Sequence, residues 1–176
     1  MNIPLKVDAV VADPNSGAQI VILKDEQNLE LLPIWVGMGE GNAIRFALEG
    51  ITSPRPLTHD LLKDFLNHLK IPLEKILIHS ISGTTYYASL HLIQTRPAAT
   101  TAAQPDEAVA ENKPGDLSEE PEELTVDARP SDAIALALRM GVPIYVTEDV
   151  LRKKGAENLD AWLEKLKPKD FGPYDV

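Results

Sequence analysis

Two acids, two arginines, a serine and a proline surround one of the least polar helical runs in the chain. They are Asp127, Arg129, Pro130, Ser131 and Asp132, followed by Ala133-Ile134-Ala135-Leu136-Ala137-Leu138 and then Arg139. An apolar helix is driven into a core. Charged groups beside its start must then sit at the rim of that core or be paired inside it. Such a rim is either scaffolding or a reaction site. Further residues of the same chemical kinds fall near element starts: Glu40, Arg55 and the pair His59-Asp60. Carboxylates can hold Mg²⁺ or Mn²⁺. A guanidinium forks onto two oxygens of an oxyanion, and histidine moves protons near neutral pH.

The elements that must position these groups follow from hydrophobic period. Residues 3–12 alternate and are rich in β-branched residues, which predicts a strand. A Pro-Asn-Ser-Gly turn leads to a second strand over 18–23, giving an antiparallel hairpin. A third strand over 29–36 contains Pro33, which places it at an edge or a bulge. Glu40 to Glu49 reads as a helix stopped by Gly50. Thr58 is a good N-cap for a second helix, whose stripe of Leu61, Leu62, Phe65, Leu66 and Leu69 faces one way. Strands over 75–81 and 84–94 flank a Ser82-Gly83 turn. A further strand, 124–128, leads into the apolar helix, which starts at Pro130 or Ser131 and ends at Gly141. A short strand over 142–146 follows, then a short helix capped by Thr147. Asn158 caps a last helix through Leu159, Trp162, Leu163 and Leu166.

The pattern predicts an α+β fold with a mixed, largely antiparallel sheet packed with several helices in a single domain. The body spans 1–155, and 156–176 form a C-terminal helix and tail. Residues 97–122 are mostly Ala, Thr, Pro, Glu and Asp. With almost no large apolar side chains they cannot offset their ordering entropy, so they read as a flexible acidic insertion.

The chain has 176 residues, no cysteine and a net charge of -10. The absence of cysteine removes disulfides, thiolate zinc sites and cysteine nucleophiles, and suits the cytoplasm. No apolar run is long enough to span a bilayer and the first residues lack a secretory pattern, so no membrane association is expected. The insertion carries seven acids and one lysine, net -6, which leaves -4 for the rest. That charge opposes phosphate polymers at long range but leaves room for a local basic patch. No H-E-x-x-H, P-loop, G-x-G-x-x-G or zinc spacing is present.

Several blocks together resemble one family. They are Leu32-Pro33-Ile34-Trp35-Val36-Gly37, Glu40, Ala43-Ile44, Ala47-Leu48-Glu49-Gly50 and Pro54-Arg55-Pro56-Leu57-Thr58-His59-Asp60-Leu61. Tyr87-Ala88, Asp127 through Arg139 and Pro143-Ile144-Tyr145-Val146 complete the set. In this order they are similar to the bifunctional nuclease domain family, over residues 3 to 155 except the insertion. One departure is Gly41, where the family usually has a small residue such as Ala. The resemblance implies an α+β fold and hydrolysis of DNA and RNA with little sequence preference.

A nuclease must activate water and stabilise charge on the phosphoryl group. On the resemblance, His59, Asp60, Asp127 and Asp132 are the catalytic candidates. Arg55, Arg129 and Ser131 are candidates for substrate contact. Glu40, Asp127 and Asp132 are candidates for a Mg²⁺ or Mn²⁺ site. Each has a structural alternative. Asp60, Asp132 and Glu40 suit a first helical turn regardless of any ligand. Ser131 suits a cap, Asp127 and Arg129 suit a bridge between elements, and His59 suits a bond to a carbonyl or to Asp60. The expected partners are nucleic acid and further copies of the chain. The competing reading is a non-catalytic oligomeric binding or regulatory module with a structural polar cluster.

Overall fold

A computed structural model describes residues 1–13, 17–27, 30–96 and 120–153. The N-terminal alternation becomes β1 (Asn2–Ala12), β2 (Gln19–Lys24) and β3 (Leu31–Val36). Helices α1 (Met38–Leu48) and α2 (Thr58–His68) follow, then the long hairpin β4 (Leu73–Ser82) and β5 (Thr85–Arg96). The chain closes with β6 (Glu120–Ala128), α3 (Pro130–Met140), β7 (Ile144–Thr147) and α4 (Glu148–Lys153). The strands form one sheet in the order β3-β2-β1-β7-β4-β5-β6. Each neighbouring pair is antiparallel except β4 with β7. The fold is therefore α+β with a mixed, largely antiparallel sheet.

The exception has a topological cause. From edge strand β6 the chain must return to the middle of the sheet, which takes a helix-long crossover. That crossover is α3. It lies against α1, α2, β4 and β5. Ala133, Ile134, Ala135, Leu136 and Ala137 are all buried. The alanines let backbones approach closely, while Ile134 and Leu136 fill the core with Ile76, Ile78 and Val146. β3 forms the other edge, with Pro33 opposite Ile22, where a strand tolerates a missing donor.

Some boundaries differ from the periodicity. β6 starts at Glu120, not Leu124, because Glu120–Glu123 pair with Arg96–Ile93 along the sheet edge, where Glu122 and Glu123 are exposed. The N-cap of α2 is Leu57, not Thr58, and the Asp60 carboxylate accepts the Leu57 N–H at 2.9 Å. Thr147 ends β7, and its hydroxyl donates to the His79 carbonyl at 3.1 Å. Of the α2 stripe, only Leu66 is buried. Most of the acidic insertion and the C-terminal helix expected from Asn158 lie outside the described residues. No helix among the described residues is long and apolar enough to cross a membrane.

Candidate functional site

The start of α3 is fixed by its own sequence. Pro130 occupies the first turn, where its missing N–H costs nothing. A residue before proline is pushed out of the helical region, and Arg129 is extended at φ -67°, ψ 143°. From there its side chain folds back along the helix. Nε donates to Asp132 Oδ2 at 2.7 Å and Nη2 donates to Oδ1 at 3.2 Å. Nη1 donates to Glu40 Oε1 at 3.1 Å. Glu40 stands in the first turn of α1, curled over Gly37, where any Cβ would collide with its carboxylate.

The second turn-forming element adds a histidine. His59, next to the start of α2, bonds through Nε2 to Asp132 Oδ1 at 3.1 Å. The first turns of α1, α2 and α3 thus meet in one network: Glu40, Arg129, Asp132 and His59. Arg129 is 66% exposed while His59 is 13% exposed, so the cation lies outward and the imidazole beneath it. Burial pushes the Asp132 carboxyl up. The hydrogen bonds from Arg129 and His59 and the charges of both outweigh that and hold it below the usual carboxylate range. An ionised Asp132 only accepts, so His59 must donate from Nε2, which leaves Nδ1 as the basic nitrogen. Arg129 uses three of its five donors on the two carboxylates.

The other candidates are placed elsewhere. Asp60 turns to Arg139, whose Nε donates to Oδ1 at 2.6 Å, while Oδ2 takes the Leu57 N–H. Burial raises its pKa, but Arg139, the Leu57 N–H and the charge of Lys63 together hold it low. Asp127 stands exposed on β6 opposite Ser89, outside the network. Ser131 is buried in the first turn of α3. Arg55 is exposed in the connector between α1 and α2. Glu40 and Asp132 converge on a guanidinium, so a metal would compete with Arg129 for them. The described residues contain no group of three histidines or acids arranged around a metal position.

Two polar groupings had no clear signal in the sequence. Arg139 reaches across three helices, with Nη1 donating to the carbonyls of Ala43 and Ala135 at 2.9 Å each. Its signal was a lone arginine ending an apolar helix. On β5, His91 bonds to Ser89 Oγ at 3.1 Å through Nε2 and to Glu123 Oε1 at 2.6 Å through Nδ1. The His91 bond and the Lys75 charge hold the Glu123 carboxyl low. The order serine, histidine, acid is that of a nucleophilic relay. Ser89, however, is buried and paired to Leu77 on one side and Asp127 on the other. Its ladder leaves no pair of backbone N–H groups for an oxyanion. The trio ties edge strand β6 to β5.

The sequence model of a family described as the bifunctional nuclease domain matches residues 21–111 and 115–158. An uncharacterized protein of Mycobacterium tuberculosis is 31% identical over 151 residues, covering 86% of this chain and 75% of the relative. Bifunctional nuclease 1 of Oryza sativa subsp. indica is 26% identical over 136 residues, covering 77% of this chain. A bifunctional nuclease of Oryza minuta matches to the same extent. The chain spans 34% of the length of each rice relative.

Proposed function

The chain belongs to the bifunctional nuclease domain family, and from that premise we propose that it hydrolyses phosphodiester bonds of DNA and RNA with little sequence preference. The observation that carries this reading is the His59–Asp132 pair beneath an outward-facing Arg129. In this reading Arg129 holds a phosphoryl oxygen with the donors left over by the carboxylates, and Arg55 adds a second contact to the substrate backbone. His59 Nδ1 takes a proton from water as the water oxygen bonds to phosphorus. The phosphorus–oxygen bond to the leaving group breaks, and that oxygen takes the proton back from His59. Asp132 orients the imidazole and stabilises its charged form. Asp60 (tied to Arg139), Asp127 (outside the network) and Ser131 (buried) have no step in this reading. We place the enzyme in the cytoplasm.

A Mg²⁺ or Mn²⁺ ion would supply Lewis-acid stabilisation of the phosphate, but of Glu40, Asp127 and Asp132 only Glu40 and Asp132 stand together, so those two would have to hold it. It enters this arrangement only by displacing Arg129 from Glu40 and Asp132. Purified protein assayed on plasmid DNA and on RNA, with Mg²⁺, Mn²⁺ or EDTA, tests both statements. Cleavage that is lost in His59→Ala and in Asp132→Ala supports the site. Cleavage unchanged in both variants refutes it.

The second reading is a non-catalytic oligomeric binding or regulatory module. It is favoured by one observation: each acid of the network already has a partner, as a purely structural clamp of three helix starts requires. Under it, both alanine variants lose stability, and wild type cleaves neither polymer.

A further inference from the structure

Helix α2 carries an apolar stripe that no other element among the described residues covers. Leu61, Leu62, Phe65 and Leu69 are 48%, 40%, 57% and 63% exposed. Residues 61, 65 and 69 line up along one face, since positions four apart are neighbours. The helix cannot roll to bury them, because His59 is held by Asp132 and Asp60 by Arg139. Together the four side chains leave on the order of 400 Å² of apolar surface, comparable to the largest patch on a typical monomer, which is often functional.

We propose that a second copy of this chain covers the stripe, with α2 lying antiparallel on its counterpart about a two-fold axis at Phe65. Symmetry favours this occupant. In such a pair Phe65 meets the partner's Phe65, and Leu61 meets the partner's Leu69, so one patch is complementary to itself. Charge favours it as well. The chain carries -10, yet residues 58–70 hold two lysines and two aspartates and are net neutral. Two copies therefore approach here against the least repulsion. Area agrees: a standard interface takes about 800 Å² per partner and is roughly 56–65% apolar. The stripe supplies most of that apolar share, and Thr58, His68 and Lys70 supply polar rim. The proposal does not depend on nuclease activity.

Light scattering on the eluting full chain tests it. Wild type at tens of micromolar is expected at twice the 19.3 kDa chain mass. Phe65→Glu is expected at the mass of one chain, with an unchanged circular dichroism spectrum. The chain has no cysteine, so Phe65→Cys places a single thiol on the axis. It should form a disulfide-linked dimer under mild oxidation, whereas Thr84→Cys on the β4–β5 turn should not. The proposal is overturned by a wild type at the mass of one chain, or by Phe65→Glu remaining at double mass. It is equally overturned if Phe65→Cys cross-links no faster than Thr84→Cys, as a different partner or a different face would give.

Discussion

Arg139 Nε lies 2.6 Å from Asp60 Oδ1, joining the last turn of α3 to the first turn of α2. The arginine side chain is 7% exposed and the aspartate 35%. Removing a buried partner strands the other charge, which is why such pairs are costly to break from one side. Arg139→Met keeps the volume but abandons Asp60 and the carbonyls of Ala43 and Ala135. It is expected to lose about 2–3 kcal/mol in urea denaturation, reduced from a fully buried pair because Asp60 is partly hydrated. Arg139→Lys should recover only part of this, since an ammonium cannot reach all three acceptors as a fork does. A loss under about 0.5 kcal/mol for Arg139→Met would mean the clamp is decorative.

Asp60 and Asp132 both have pKa values lowered in the folded chain. Unfolded aspartate titrates near 3.9, so below that region the unfolded state binds more protons than the folded one. Their stabilisation is therefore complete above about pH 4 and lost as pH falls through the lowered folded values. Urea midpoints measured from pH 7 downwards should stay level to about pH 4 and then drop. In Asp132→Asn the drop should be shallower, because one of the two linked protons is gone. An identical acid limb in wild type and variant would contradict the assignment.

Two glycines of the α1 region make separable predictions. Gly37 has ordinary extended backbone at φ -67°, but a Cβ there collides with the Glu40 carboxylate. Gly37→Ala should leave stability within about 1 kcal/mol and release Glu40 from Arg129. Cleavage should then change by about tenfold, the size of one charge-assisted contact. Gly41 is different, since a Cβ there meets the side chain of Gln19. Gln19 donates to Asn42 Oδ1 at 3.1 Å, while its own Oε1 is buried without a partner among the described residues. Gly41→Ala alone should cost about 1–3 kcal/mol by overpacking. Paired with Gln19→Gly, which also removes the Cβ lying 2.7 Å from the added one, it should cost clearly less than the two changes summed. Strict additivity would show that Gln19 does not occupy that space.

Gly41 and Gln19 also show how far the sequence could be read. Local period and turn chemistry placed β1, β2, α1, α3 and the β4–β5 hairpin, because strand alternation and helix stops are written in neighbouring residues. Arg129–Asp132 was within reach for the same reason, being three residues apart. His59–Asp132 and Asp60–Arg139 join residues 73 and 79 apart. Nothing local distinguishes an aspartate that meets a histidine from one that meets an arginine, so Asp60 and Asp132 read alike. The α2 stripe was legible as a stripe but not as an open one, because periodicity reports which residues share a side, not what lies opposite. Gly41 was visible as a glycine inside α1, but the side chain of Gln19 filling the space beside it from a distant strand was not.

The His59–Asp132 pair separates catalysis from scaffolding most sharply. If Asp132 fixes the imidazole with Nε2 as donor, Asp132→Asn keeps the shape and removes the charge that selects this tautomer. It also weakens the grip on Arg129, whose fork needs two carboxylate oxygens. The expected result is a fall in kcat of about 10²–10⁴-fold. His59→Ala should fall by a similar factor, and the double variant by little more than either alone, because the two act as one unit. A scaffold would respond otherwise. Both variants would then unfold more easily, and neither would lose any cleavage per folded molecule relative to wild type.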